Sequence, residues 1–494
     1  MRPHDTALRL LRGAKALHNG DPMPAPSFIF REYDIRGVAD RDLEDETAHA
    51  IGRALGVMLA GRDGKPPRIA LGRDCRLSSP RLHAAMLEGL LRAGVHVQDV
   101  GVGPTPHLYF AVHHLDADGG IMITGSHNPA EDNGFKVMRG KASFFGKDIQ
   151  DLRARIEQAR FTDGGPERTR GKVETTDVAT AYVDTLSTSV VIDPAIKFVV
   201  DAGNGVGGPM ALAAMRKLGL NPDPLFCEMD GHFPNHHPDP TVPRNLEALI
   251  ARVRATGARV GIAYDGDADR LGAVDANGDI LWGDRLMILF SRHLLAKNPG
   301  AAILGEVKCS QTLYDDIAKH GGRPIMWKTG HSLIKTKMKE EHALLAGEMS
   351  GHLFFADRYF GYDDALYASL RLLEILSNDP RSVGEMLCDV PKTFTTPELR
   401  VDCPEAVKFD VVRRVTEHYL SAGKSVITTD GARIQFGVAG STGQVPSWGL
   451  VRASNTGPVL VMRFEAGSEK ERDRLQAEVE AVVKRERELL ASVK

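Results

Sequence analysis

Cysteine is scarce and dispersed: Cys75, Cys227, Cys309, Cys388 and Cys403 are the five in 494 residues, and no two form a Cys-x-x-Cys pair. That spacing argues against a disulfide framework and a zinc pattern, and points to free thiols in a reducing compartment. No apolar run is long enough for a transmembrane helix. The opening stretch, Met1 to Pro24, scatters Leu8, Leu10 and Leu11 among Arg9, Arg12 and Lys15. Its apolar core is too short and broken for a secretory signal, so it reads as a flexible or weakly helical extension of a cytoplasmic protein. Excess positive charge is also missing. With 62 Lys and Arg against 65 Asp and Glu the net charge is −3, which supplies no global field for nucleic acid. An anionic ligand would need a local cluster of Arg, Lys and His.

Several familiar sites are absent on close reading. Ser126 follows the apolar run Ile121-Met122-Ile123, but Thr124 and Asn128 occupy the positions where a Gly-x-Ser-x-Gly hydrolase elbow needs glycine. Gly423-Lys424-Ser425 lacks a P-loop's earlier glycine, because that position is His418. Asp265-Gly266-Asp267-Ala268-Asp269-Arg270 begins like an EF-hand, yet its sixth residue is Arg270 instead of Gly and its twelfth is Ala276 instead of Glu. Gly203, Gly205 and Gly208 form a literal Gly-x-Gly-x-x-Gly, but no acidic residue clearly ends a second strand about 20 residues on. A tight strand-to-helix turn is the simpler reading there.

The acidic run is the strongest positive signal. Alternate carboxylates in an extended loop point to one side. Three like charges so close repel unless a cation binds them, and hard carboxylate oxygens suit Mg²⁺, with a solvated acidic loop as the alternative. Ser126 lies at the C-terminal end of its strand, where open α/β sheets place ligands, so it is either a nucleophile or phosphate carrier or simply a turn residue.

Along the chain, apolar and polar residues alternate from Phe28 to Gly37, giving a strand that leads to a glycine turn. A helix is predicted from about Leu43 to Leu59, a strand from Ile69, and a helix opened by a Ser78 cap with Pro80 at its start. Strands at Phe198–Asp201 and Val260–Tyr264, then at Ala302–Val307 and Ala343–Ala346, repeat the plan, with helices from Met210 and after Ser310. The last hundred residues read as short strands at Val426–Thr429, Gly449–Arg452 and Val459–Phe464, then a charged helix from Ser468 to Val493. Gly437 to Pro446 is a Gly/Ser-rich excursion. The fold class is therefore α/β: three consecutive mixed-sheet α/β domains plus a smaller α+β C-terminal domain. The expected limits are an extension over 1–24 and domains at 25–172, 173–279, 280–391 and 392–494.

Thr124-Gly125-Ser126-His127-Asn128-Pro129, followed by Asn133-Gly134-Phe135-Lys136, resembles the active-serine loop of the α-D-phosphohexomutases, with bacterial phosphomannomutase/phosphoglucomutase as the nearest branch. The resemblance spans about residues 28 to 466 and holds five motifs in the family's order. It implies four domains around a central cleft, a phosphoserine at Ser126, and one Mg²⁺ on Asp265, Asp267, Asp269 and Ser126. Tyr33 and Arg36 correspond to the loop facing the phosphoserine. Gly347-Glu348-Met349-Ser350-Gly351-His352 resembles the sugar-specificity loop, so Glu348 and Ser350 would bind hydroxyls, and Met349 favours this branch over phosphoglucosamine mutase. Lys308 and His331 correspond to positions near the sugar. Arg452, Ser454, Asn455 and Thr456 resemble the distal phosphate loop, which unaided reads as a small anion nest or a neutral turn. Gly457 stands where Thr is usual and Ala268 where Gly is common; neither change removes a ligand.

The implied activity is interconversion of hexose 6-phosphate and hexose 1-phosphate, mannose and/or glucose, through a hexose 1,6-bisphosphate that also serves as activator. Arg36, Lys136, Arg270 and His331 would stabilise charge or move protons beside Ser126. A monomer or weak homodimer without nucleic-acid or membrane partners is expected. Phosphoglucosamine mutase, a metal-dependent sugar phosphatase and a non-catalytic sugar-phosphate-binding protein are the alternatives.

Overall fold

The serine loop and the aspartate loop are the tips of antiparallel hairpins. Strand Gly119–Ile123 runs into the serine loop and returns as Asp132–Arg139, the last paired residues being Ile123 and Phe135. Strand Val260–Tyr264 runs into the aspartate loop and returns as Leu271–Asp275, closed by Tyr264 opposite Leu271. Every residue of Gly119–Ile123, Val260–Tyr264 and Leu271–Asp275 is buried, which a strand covered on both faces requires. A hairpin between buried strands can hold its loop rigidly, because both ends are fixed by ladder hydrogen bonds.

The computed structural model describes residues 25–59, 61, 64–162, 169–437, 447–455 and 457–491. The expected N-terminal extension, Thr456 and all but the first residue of the Gly437–Pro446 excursion lie outside them. The chain divides into two compact units, one running to Trp282 and including Ser350–Ser382, the other made of Gly283–Met349 and the chain from Val383.

The first unit contains two mixed sheets. One has seven strands: Ile35–Val38, Asp132–Arg139, Gly119–Ile123, Arg68–Arg73, His96–Val102 and Val173–Thr175 lie in that order, and Ala142–Ser143 pairs outside the path with Asp132–Arg139. Its middle is parallel, because helices Ser79–Arg92 and Thr105–His114 carry the chain between strands. A core including Ile51, Leu55, Leu71, Met86, Leu90, Ile121 and Phe135 fills one face. The second sheet has five strands, Ile280–Leu281, Leu271–Asp275, Val260–Tyr264, Phe198–Asp201 and Asp223–Leu225. In the second unit Arg323–Trp327, Ala302–Glu306 and Leu345–Gly347 pair in parallel. An antiparallel six-stranded sheet is built on Val459–Ala466, with helices Lys408–Ser421 and Glu469–Ala491 covering its core.

Several local expectations are corrected. Phe28 to Gly37 is not one strand ending in a turn. Ser27–Ile29 is a 3-10 turn, the amide of Arg31 closes a loop onto the carbonyl of Asp34 at 3.0 Å, and the strand is Ile35–Val38 with Gly37 inside it. Gly37 is needed there because a Cβ would lie 2.7 Å from that of Asp42. Ser78 makes no side-chain cap; its hydroxyl instead accepts from Asn133 at 2.8 Å, and Ser79 donates to Asp74. The helix expected from Met210 begins at Gly207, and the strand expected over Ala343–Ala346 is Leu345–Gly347.

The Gly-x-Gly-x-x-Gly glycines are taken up by packing. Gly203 has φ +53°, a Cβ on Gly205 would sit 2.7 Å from the carbonyl oxygen of Gly266, and one on Gly208 would sit 2.2 Å from that of Cys227. Alanine at 208 gains up to about 1 kcal/mol of helix propensity, but a backbone clash at 2.2 Å cannot relax by rotamer change. Gly208→Ala should therefore destabilise the protein by about 1–3 kcal/mol, read as a lower midpoint in urea.

Candidate active site

In the first unit the serine and aspartate loops meet. Ser126 is buried, with φ +50°, and its hydroxyl donates to Asp265 Oδ2 at 3.0 Å. The turn is imposed locally: the Ser126 amide donates to Thr124 Oγ1 at 2.8 Å, and the Asn128 amide to the carbonyl of Gly125 at 2.9 Å. Asp265, Asp267 and Asp269 are all fully buried, and each offers an oxygen within 4.8 Å of the others. They converge because the loop is a turn and not the extended segment expected from alternation. Asp265 Oδ1 accepts from the amides of Asp269 and Arg270 at 3.1 and 3.0 Å, and Ala268 takes φ +55°.

Lys136, on the return strand of the serine hairpin, donates to Asp267 Oδ2 at 2.7 Å and Asp269 Oδ2 at 2.5 Å. Burial favours a neutral amine, yet Asp267 and Asp269 raise the Lys136 pKa, so it is an ammonium at neutral pH. Burial, reinforced by Asp269 and Asp267, pushes Asp265 well up, while Asp267 is held down against its own burial by Lys136. Lys136 hydrogen-bonds Asp267 and Asp269 through one oxygen each. Asp267 Oδ1 and Asp269 Oδ1 are moreover buried with no hydrogen-bond partner among the described residues. An all-oxygen set with two buried oxygens that lack a hydrogen-bond partner fits a hard divalent cation such as Mg²⁺.

Arg36 reaches the same loops: Nε donates to Asp34 at 2.7 Å and Nη1 to Asn128 Oδ1 at 2.8 Å, while Tyr33 is half-buried three residues earlier. Arg270 Nε donates to His352 Nε2 at 3.0 Å, and His352 Nδ1 lies 3.1 Å from Asp363 Oδ2. His127 Nδ1 lies 3.1 Å from the Ser126 hydroxyl, and burial, aided by Arg270 and Arg36, keeps that imidazole neutral. Thr105 fastens the helix start beneath, its hydroxyl donating to Asp267 at 2.5 Å.

The second unit makes its own cluster. Buried Lys308 donates to Glu398 at 3.0 Å and lies 3.5 Å from Glu306; it holds the Glu398 carboxyl down at about 2. Glu306 accepts from Thr329 Oγ1 at 2.5 Å, and Glu348 from the Gly330 amide at 2.8 Å, next to His331 at the start of helix His331–Glu340. Arg452 donates to Asp430 at 2.9 Å, and the same carboxylate oxygen accepts from the Thr329 amide at 3.0 Å. Ser454 is buried and Asn455 half-buried in a turn whose carbonyls at Ser454 and Gly457 accept from Lys408. Ser350 is half-buried and belongs to the first unit, so the unit boundary falls between Met349 and Ser350.

Sequence reasoning assigned no role to Asp74, Arg76, Thr105, His127, His352, Asp363, Glu306 and Asp430. Asp74 and Arg76 carried a usable signal, since they follow the strand Arg68–Arg73 as Ser126 follows its own. Asp430 carried none.

Four segments match the phosphoglucomutase/phosphomannomutase family: alpha/beta/alpha domain I over residues 27–163, domain II over 180–278, domain III over 282–394 and the C-terminal domain over 398–482. A phosphomannomutase/phosphoglucomutase of Pseudomonas aeruginosa is 46% identical over 451 residues, covering 91% of this chain and 94% of the relative. A phosphoglucomutase of Neisseria gonorrhoeae is 44% identical, covering 92% and 96%. The crystal structure of a phosphoglucomutase/phosphomannomutase family protein from Burkholderia thailandensis is 42% identical, with a TM-score of 0.84 over 93% of this chain and 97% of that one. Fold and relatives together define the class, a hexose-phosphate mutase of the α-D-phosphohexomutase superfamily. Within that class, the chain belongs to the phosphoglucomutase/phosphomannomutase family.

Proposed function

We propose that this mutase interconverts hexose 6-phosphates and hexose 1-phosphates of mannose and/or glucose, with Ser126 as the phosphoryl carrier. The observation that carries the proposal is the Ser126 hydroxyl 3.0 Å from Asp265 in a buried cluster of three acids and Lys136. A turn serine has no need of that company. Asp265, Asp267 and Asp269, with phosphorylated Ser126, would hold one Mg²⁺, whose charge screens the phosphoryl oxygens and favours attack at phosphorus. The substrate's free hydroxyl oxygen bonds to the phosphorus as the bond to Ser126 Oγ breaks. The hydroxyl gives up its proton and Oγ takes one, leaving a hexose 1,6-bisphosphate. The reverse exchange at the other phosphate restores phosphoserine and releases the isomer. Positioning and charge stabilisation dominate such transfers.

Arg36, Lys136, Arg270 and His331 are the groups we assign to charge stabilisation and proton transfer, with Tyr33 beside Arg36. Glu348 and Ser350 are assigned to sugar hydroxyls, Lys308 to the sugar phosphate's surroundings, and Arg452, Ser454, Asn455 and Thr456 to the phosphate not being transferred. The four matched segments support domains at 25–172, 173–279, 280–391 and 392–494 after an extension over 1–24. Among the described residues no helix is long and apolar enough to cross a membrane. Five free cysteines support a reducing, cytoplasmic setting. A monomer or weak homodimer is the oligomeric state we assign.

The test is an isomerisation assay on mannose 1-phosphate and glucose 1-phosphate with added 1,6-bisphosphate. The 6-phosphate isomer is expected. Release of inorganic phosphate instead would make the protein a phosphatase, and conversion of glucosamine phosphate alone would make it a phosphoglucosamine mutase. Chelation with EDTA should lower turnover at least about 100-fold, restored by Mg²⁺; unchanged turnover would remove the metal from the proposal.

A further inference from the structure

The serine loop is wrapped around a side chain that touches no reacting atom. Arg76 is buried, 1% exposed, just beyond the strand Arg68–Arg73. Its Nη2 donates to the carbonyl oxygens of Ser126 and Asn128, both at 2.7 Å, and its Nη1 to those of Asp132, at 3.0 Å, and Pro129. Four carbonyls from one seven-residue loop thus converge on one planar cation. Arg76 Nε lies 3.3 Å from Asp74 Oδ2, and that oxygen also accepts from the amide of Gly125 at 3.2 Å. Asp74 is in turn fixed by the hydroxyl of Ser79 and the amide of Arg76.

The loop needs such an anchor. Ser126 sits at φ +50°, a left-handed conformation that is unfavourable for an L-residue, and neighbouring carbonyls turned toward one point repel unless a donor sits among them. Guanidinium is suited to this, because its five N–H bonds lie in one plane in a fixed fork, whereas an ammonium is a compact point charge with three donors. The fit is close: a Cβ on Gly125 would stand 2.5 Å from Arg76 Cζ and Nε. The loop is also packed from above. His237 Nε2 lies 2.5 Å from the His127 carbonyl, and a Cβ on Gly266 would lie 2.4 Å from the Ser126 carbonyl.

We propose that Arg76, held by Asp74, is a positioning residue that sets the backbone at Ser126 so that its hydroxyl faces the aspartate cluster. The inference rests on Ser126 being the phosphoryl carrier. Arg76 acts through the carbonyl of Ser126 and its neighbours, so its loss should lower kcat far more than it raises KM. Misplacement of a reacting atom by about 1 Å can cost on the order of 100-fold.

Three full-length variants test it: Arg76→Lys, which keeps charge but loses the fork; Gly125→Ala, which displaces the guanidinium while keeping it; and Arg371→Lys, which alters another buried arginine that contacts Asp357 and Tyr367, away from the loop. Each is measured for kcat, KM, Tm and the phosphate carried after incubation with glucose 1,6-bisphosphate. Arg76→Lys and Gly125→Ala should lower kcat about 10- to 100-fold with KM changed less than about threefold, and should lower phosphate stoichiometry. Arg371→Lys should lower Tm only. Full kcat in Arg76→Lys, or parallel losses in all three variants, would overturn the proposal. So would failure of both loop variants to fold, which would make Arg76 a residue of the fold alone. Absence of phosphate on Ser126 in the unmodified protein is a different result, and would remove the carrier itself.

Discussion

Ser126→Ala is expected to cut isomerisation by roughly four orders of magnitude or more, the scale seen when a covalent catalyst loses its nucleophile. The size follows from the mechanism, since without Oγ there is no acceptor for the phosphoryl group between the two transfers. Stability should fall only modestly. Alanine is as strained at φ +50° as serine, and the change removes two hydrogen bonds, to Asp265 and with His127, each worth about 1 kcal/mol. A folded Ser126→Ala protein with near-normal turnover would leave the aspartate cluster without its partner and the mechanism without its carrier.

The second large effect is expected at Asp267. Its Oδ2 accepts from Lys136 at 2.7 Å and Thr105 at 2.5 Å, while Oδ1 is buried with no hydrogen-bond partner among the described residues. Asparagine keeps the volume but removes the charge, and its NH₂ must point either at an ammonium and a hydroxyl or at the cation. Either choice places a donor where an acceptor is needed. Asp267→Asn should weaken Mg²⁺ binding by at least about 100-fold and lower kcat by about 1,000-fold, measured by calorimetry and by assay at saturating substrate. Loss of one of three mutually repelling acids offsets part of the lost ion pair, because Lys136 keeps Asp269 at 2.5 Å. The variant should therefore fold, with Tm shifted by only a few degrees, roughly. Unchanged Mg²⁺ affinity would show that the acids serve the fold and not a metal.

What could be read from the sequence divides along physical lines. Val260–Tyr264 was legible as a buried strand because it is a short apolar run, and the alternate carboxylates after it were legible as a cluster facing one way, while the glycine-rich turn at 203–208 read correctly as structure. The return strands were not legible. Asp132–Arg139 is buried over six consecutive positions, from Asn133 to Met138, so it shows no alternation, and its pairing to two neighbours is decided by the sheet. Arg76 showed in the sequence only its place just after a strand, and its contacts were hidden for a related reason. Arginine is usually exposed, and only the tertiary fold reveals four carbonyls around it. Arg433 in the second unit is comparable, fully buried 3.8 Å from the centre of the Trp448 ring and donating to the carbonyls of Val307 and Cys309 on either side of Lys308. Such long-range pairs leave no local pattern.

The most direct measurement is peptide mapping of the protein after equilibration with hexose 1,6-bisphosphate, before and after addition of a hexose monophosphate. A carrier at Ser126 predicts a single phosphate on the peptide containing that residue, discharged by the monophosphate and recovered as bisphosphate. Turnover with no phosphate on that peptide, or with a phosphate there that the sugar does not remove, would contradict it.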